Sequence, residues 1–90
     1  MSTKINLAAY LQPYADNKET IEVNGGTVQD CINELVKAFP KIKAMLSDED
    51  GKLLPYVNVF LNDNTIYPDE LTTPVNDGDE IYLLYLIGGG

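Results

Sequence analysis

Three residues without side chains close the chain: Gly88, Gly89 and Gly90 follow directly on the apolar run Ile81-Tyr82-Leu83-Leu84-Tyr85-Leu86-Ile87. The reactive group at such an end is a carboxylate on an arm that carries no bulk. Glycine has no Cβ, so Gly88 and Gly89 let the arm thread a narrow channel and let another backbone approach closely. The competing reading is a frayed terminus, since glycine-rich chain ends are common.

The rest of the inventory offers little chemistry. The chain has no histidine, which removes the commonest general base and metal ligand. Its single cysteine, Cys31, cannot form an internal disulfide or a four-cysteine cluster, and fits a reducing cytoplasm. Cys31 falls one turn into a predicted helix and reads as a packed thiol; if exposed there, its pKa would be lowered. Ser47-Asp48-Glu49-Asp50-Gly51 gathers carboxylates but lacks the alternate spacing and distal Glu of a calcium loop, so it reads as a solvated turn. No metal site and no bound cofactor are expected.

Composition narrows the partners. Six basic residues against fourteen acidic ones leave a net charge of −8, which opposes a nucleic-acid backbone and suits a basic protein partner. No apolar run approaches the ~20 residues that span a bilayer. Met1-Ser2-Thr3-Lys4 does not have the pattern of a signal peptide, so a cytoplasmic location is expected. Ninety residues with 44% hydrophobic content make one domain with a modest core.

The elements that must position the tail follow from periodicity. Lys4 to Ala8 and Glu19 to Val23 alternate, predicting two strands of a hairpin with Ile5, Leu7, Ile21 and Val23 inward. Pro13, Asp16 and Asn17 mark the loop between them, and Asn24-Gly25-Gly26 breaks the chain. Thr27 is a predicted N-cap with Asp30 three residues on. Val28, Ile32, Leu35 and Phe39 then form a helical stripe, flanked by Cys31 and Val36. Pro40 ends that helix and opens a short second one, Lys41 to Leu46. Tyr56 to Asn62 is a third strand with Val57, Val59 and Leu61 on one face and Asn58, Phe60 and Asn62 on the other. Asp63-Asn64 is a turn, Thr65-Ile66-Tyr67 a short edge strand stopped by Pro68, and Asp77-Gly78 the turn into the last strand.

A strand as apolar as Ile81 to Ile87 belongs at the centre of a sheet. The expected fold is α+β: a mixed sheet of four to five strands with one main helix packed on one face. Residues 1–87 form the domain, and 88–90 a flexible glycine tail. Only one face of the last strand can meet the helix, so Tyr82 and Leu84 lie opposite Ile81 and Leu83. With Phe60 they form an outward apolar patch for docking a partner, unless a loop covers them.

Taken together, Thr27-Val28-Gln29-Asp30, the strand Tyr56-Val57-Asn58-Val59-Phe60-Leu61-Asn62-Asp63, Asp77-Gly78-Asp79-Glu80 and the terminal Gly89-Gly90 resemble the ubiquitin-like β-grasp sulfur carriers. That group includes the small subunit of molybdopterin synthase and the thiamine- and cysteine-pathway carriers, and the likeness spans nearly the whole chain. Two departures stand out: Tyr85 and Leu86 where proline is common, and Gly88 where another small residue is usual. With Gly90 last, no trimming is expected. The resemblance implies a protein-borne sulfur donor rather than an enzyme. An adenylyltransferase-type activating enzyme would consume ATP to adenylate the Gly90 carboxylate, which is a poor electrophile until so activated. Sulfide or a persulfide would displace AMP and leave a thiocarboxylate, which donates its sulfur within a synthase partner in molybdopterin-type or cysteine-type biosynthesis. The alternatives are a modifier conjugated through Gly90 to a lysine amine, and a non-catalytic β-grasp interaction domain.

Overall fold

The computed structural model describes residues 2–66 and 70–85. Seven elements of sheet and helix follow in chain order: β1 (Thr3–Leu7), β2 (Thr20–Val23), α1 (Val28–Ala38), α2 (Lys43–Leu46), β3 (Val57–Leu61), β4 (Asn64–Thr65) and β5 (Glu80–Tyr85). They form one mixed sheet in the order β2-β1-β5-β3-β4. β5 therefore lies in the middle, parallel to β1 and antiparallel to β3. With α1 on one face, this is the expected α+β, β-grasp arrangement.

Alternation along the strands builds the core from one face. Ile5 faces both Ile21 and Ile81 across the sheet, and Leu83 faces both Leu7 and Val59. Ile5, Ile81 and Leu83 are wholly buried, as are Val28, Cys31 and Leu35 of α1. Helical periodicity thus meets strand periodicity across a single apolar layer.

The helix begins where the sequence places it. The Thr27 hydroxyl accepts a hydrogen bond from the Asp30 amide at 3.1 Å, which satisfies one of the unpaired donors of the first turn. Backbone bonds Val28 N to Thr73 O (2.9 Å) and Val75 N to Gly26 O (3.1 Å) tie that end to the segment leading into β5. Gly25 lets the chain before the helix pass close over its first turn: a Cβ there would lie 2.8 Å from the Asp30 Cβ and 2.9 Å from the Cys31 backbone nitrogen.

Several boundaries differ from the sequence reading. The segment between β1 and β2 is more than a punctuated loop, because Gln12–Ala15 forms a 3-10 turn and Leu11 and Ala15 are wholly buried. Pro40–Ile42 is also 3-10, so the second helix shortens to Lys43–Leu46. Cys31 belongs in the centre of the helical stripe, whereas Phe39 is only half-buried. The hairpin after β3 turns one residue early: Leu61 pairs with Asn64, and Asn62 takes the left-handed φ of 57° that asparagine tolerates. The edge strand is accordingly Asn64–Thr65; Tyr67 and Pro68 lie outside the described residues, as do Leu86 to Gly90.

Burial raises the Cys31 thiol pKa, Asp30 and Glu34 add to the rise, and a hydrogen bond with the buried Thr3 opposes it. The thiol therefore stays protonated at neutral pH and packs as a small apolar group. A disulfide reagent is expected to label Cys31 slowly in native buffer and rapidly in denaturant; fast native labelling would contradict this packing. Leu83→Ala is expected to cost about 2–5 kcal/mol in urea unfolding, as a buried leucine truncation does. Leu84→Ala, on the opposite face of the same strand, should cost well under half as much.

Candidate functional site

β3 and β5 together position the side chains that the sequence assigned to docking. Phe60 pairs with Tyr82 and Asn58 with Leu84 in the β3–β5 ladder, on the face turned away from α1. Phe60, Tyr82 and Leu84 line one open depression with Asn62 and Asp63. All three are half-exposed. The alternation that sends Ile81 and Leu83 into the core thus brings the predicted patch together.

The rim of this depression is acidic and held by a small hydrogen-bond network. The Asn62 side-chain oxygen accepts from the Glu80 amide at 3.0 Å, while its nitrogen donates to Asp79 Oδ1 at 3.3 Å. The Asn62 backbone amide in turn donates to the Glu80 carbonyl at 2.7 Å. One turn residue therefore locks the start of β5 against the end of β3. Asn6 donates to Glu80 Oε1 at 3.1 Å from the β1 side. The nearby Glu80 charge pushes the Tyr82 phenol above its ordinary pKa, with slight desolvation and Asp63 adding to the shift. Tyr82 therefore presents a neutral, amphipathic ring beside negative charge, a combination suited to a partner with apolar and basic contacts.

In the 47–51 turn the Asp48 carboxylate serves the turn itself. Asp48 Oδ1 accepts from the amides of Asp50 and Lys52 at 2.9 and 3.0 Å, and Gly51 takes φ 82°. This supports the solvated-turn reading.

Sequence reasoning missed the other end of β5. Tyr85 continues the inward register of Ile81 and Leu83 but emerges at the rim of the core, opposite Val57. Its ring stacks on Tyr10 at 5.9 Å and meets the edge of Tyr56 at 5.0 Å, and its hydroxyl donates to the Met45 carbonyl. Desolvation is the main cause that raises the Tyr85 phenol pKa, so it remains a donor at neutral pH. Tyr10 lies in a turn after β1 and Tyr56 falls just before β3 rather than in the strand predicted to begin with it, so nothing in the sequence linked either ring to Tyr85.

Gly88, Gly89 and Gly90, assigned to threading and to the reactive carboxylate, lie outside the described residues. In sequence they follow Tyr85, the last described residue of the central strand, by three to five positions.

This arrangement has close counterparts. The sulfur carrier protein CysO of Mycobacterium tuberculosis is 27% identical over 93 residues, covering all of both chains. Small archaeal modifier protein 1 of Haloferax volcanii is 32% identical over 71 residues, 78% of each chain. Among solved structures, a chain of the Amycolatopsis orientalis BexX/CysO complex superposes with a TM-score of 0.87 at 28% identity, covering 98% of this chain and 99% of that one. The ThiS family matches residues 5–90, from the middle of β1 to the last glycine, and the chain belongs to that family.

Proposed function

We propose that this protein is a sulfur carrier whose C-terminal Gly90 is adenylated by an activating enzyme and converted to a thiocarboxylate. The observation that carries the reading is that the family match runs through the glycine tail to residue 90, rather than stopping with the globular domain. The relatives named as sulfur carriers, matched over their full length, support the same reading.

The chemistry divides between chain and partner. A carboxylate oxygen of Gly90 attacks the α-phosphorus of ATP, and pyrophosphate leaves. Sulfide then attacks the activated carbonyl carbon, AMP leaves with the bonding pair, and the product is a thiocarboxylate. This chain supplies the carboxylate, an arm of three glycines spanning roughly 10 Å when extended, and a docking face. The nucleotide site, the activating residues and the sulfur acceptor belong to an adenylyltransferase and to a synthase subunit. Phe60, Tyr82 and Leu84 dock the activating enzyme, with Asp63 and Glu80 at the acidic rim steering a basic surface toward them.

The likeness to an archaeal modifier protein favours one second reading, conjugation of Gly90 to a lysine amine. The two products differ covalently. After incubation with the adenylyltransferase of the same organism, ATP and sulfide, the intact mass should change by replacement of one oxygen with sulfur, and fragmentation should place it at Gly90. Isopeptide-linked adducts in place of that product would establish the modifier. An unchanged mass with a competent enzyme would leave a non-catalytic interaction domain.

Gly89→Val tests the arm. The variant should melt with the wild-type transition yet lose thiolation by at least about tenfold, the equivalent of ~1.4 kcal/mol of lost transition-state fit. Normal folding with normal thiolation would refute threading. Tyr82→Asp should instead raise the concentration of carrier needed for half-maximal adenylation by about tenfold, the size expected of an interface aromatic.

A further inference from the structure

We infer that Tyr10, Tyr56 and Tyr85 form a clamp that fixes the end of β5 and so positions the reactive tail relative to the docking face. The consequence for activity rests on the sulfur-carrier reading; the clamp itself rests on geometry. Backbone pairing of β5 with β1 ends at Leu83, where Ala8 N donates to the Leu83 carbonyl at 3.0 Å. Leu84 and Tyr85 are paired on the β3 side alone. Side chains supply hold where the ladder has become one-sided. Tyr10 approaches from the segment after β1, Tyr56 from the residue before β3, and the Met45 carbonyl from α2 receives the Tyr85 hydroxyl. The Tyr85 ring is thus gripped by extensions of both strands that flank β5.

The cluster lies at the rim of the core rather than within it: Tyr10 is 62% exposed and Tyr56 42% exposed, while Tyr85 packs against the core. Both direct their rings at Tyr85. Releasing Tyr85 and Leu84 would add at least two residues to the tether that carries Gly90. The effective concentration of the Gly90 carboxylate at a docked partner's nucleotide site falls roughly as the −3/2 power of length, which gives a loss of about twofold. These tyrosines are positioning residues: they act on Gly90 through the trajectory of β5.

The test compares the full-length wild type with Tyr10→Ala and Tyr10→Phe, after thermal melts confirm that all three fold. Amide heteronuclear NOE values, which need no partner, should fall at Tyr85 to Ile87 in Tyr10→Ala and recover in Tyr10→Phe. With the adenylyltransferase of the same organism in single turnover, pyrophosphate release at saturating carrier should fall about twofold in Tyr10→Ala, with KM for the carrier unchanged. Tyr10→Phe should restore it, because the stack does not need that hydroxyl. Unchanged NOE values would overturn the clamp. A raised KM at full saturating rate would overturn positioning and mark Tyr10 as a partner contact or a stability residue. Absence of adenylation in the wild type would refute the sulfur-carrier reading and the positioning role with it, while the NOE comparison still decides the clamp.

Discussion

The structure depends on one insertion: β5 must enter between β1 and β3 and pair with both. Before it does so, the β1–β2 hairpin and the β3–β4 hairpin have no sheet in common. β5 joins them, and Ile81 and Leu83 fill the layer beneath α1. The interaction is non-local, since Ile5 meets Ile81 and Leu7 meets Leu83 across almost the whole chain. Its entropic cost is offset by burial on one face and by backbone bonds on both edges. The turn that delivers β5 is held at the other end of the chain as well: Gly78 N bonds the Ser2 carbonyl at 3.0 Å and Lys4 N bonds the Asp79 carbonyl at 3.1 Å. Whatever continues past Tyr85 is therefore attached to the best-anchored strand of the domain.

Because a strand alternates, the same six residues serve two purposes without conflict. Ile81 and Leu83 stabilise the fold, while Tyr82 and Leu84 lie on the face that α1 leaves uncovered. Phe60 extends that face from β3, and Asn62, Asp79 and Glu80 give it a fixed acidic border. Side chains on this face do not have to fit a close-packed core, so they are free to suit a partner. The mixture of half-exposed aromatic rings and an ordered polar rim matches the make-up of transient protein interfaces.

The legible parts of this sequence were those where a period repeats. Val57 and Val59, Ile81 and Leu83, and Val28, Ile32 and Leu35 declared their faces because alternation of two or of 3.6 leaves little choice. The cap at Thr27 was legible for a related reason: it is a local contact between residues three apart. Placement of Phe60, Tyr82 and Leu84 opposite the core followed from the same alternation. The illegible parts depend on contacts between segments without a period. Leu11 and Ala15 looked like loop residues, yet a 3-10 turn carries both into the core. Nothing linked Tyr10 or Tyr56 to Tyr85, since that partner is 75 or 29 residues away on β5. Tyr85 stood out only as a departure from a common proline, and its aromatic contacts give the strand end a different means of support.

The chemistry proposed for Gly90 also explains why the domain is built this way. A carboxylate that must be activated elsewhere needs reach at its tip and fixed geometry at its base. Glycine supplies reach by removing side chains, but it supplies no direction. Direction has to come from the residue where regular structure ends, and every degree of freedom added before that point dilutes the carboxylate at its target. A central strand meets this requirement better than an edge strand or a helix terminus, since edges and ends open at low energy. The domain's other elements hold this strand: α1 packs over Ile81 and Leu83, β3 pairs with it through Tyr85, and α2 receives the Tyr85 hydroxyl. A chain with no histidine and one buried thiol has little of its own to offer as acid, base or nucleophile, so on the proposed chemistry its part is to dock and to position.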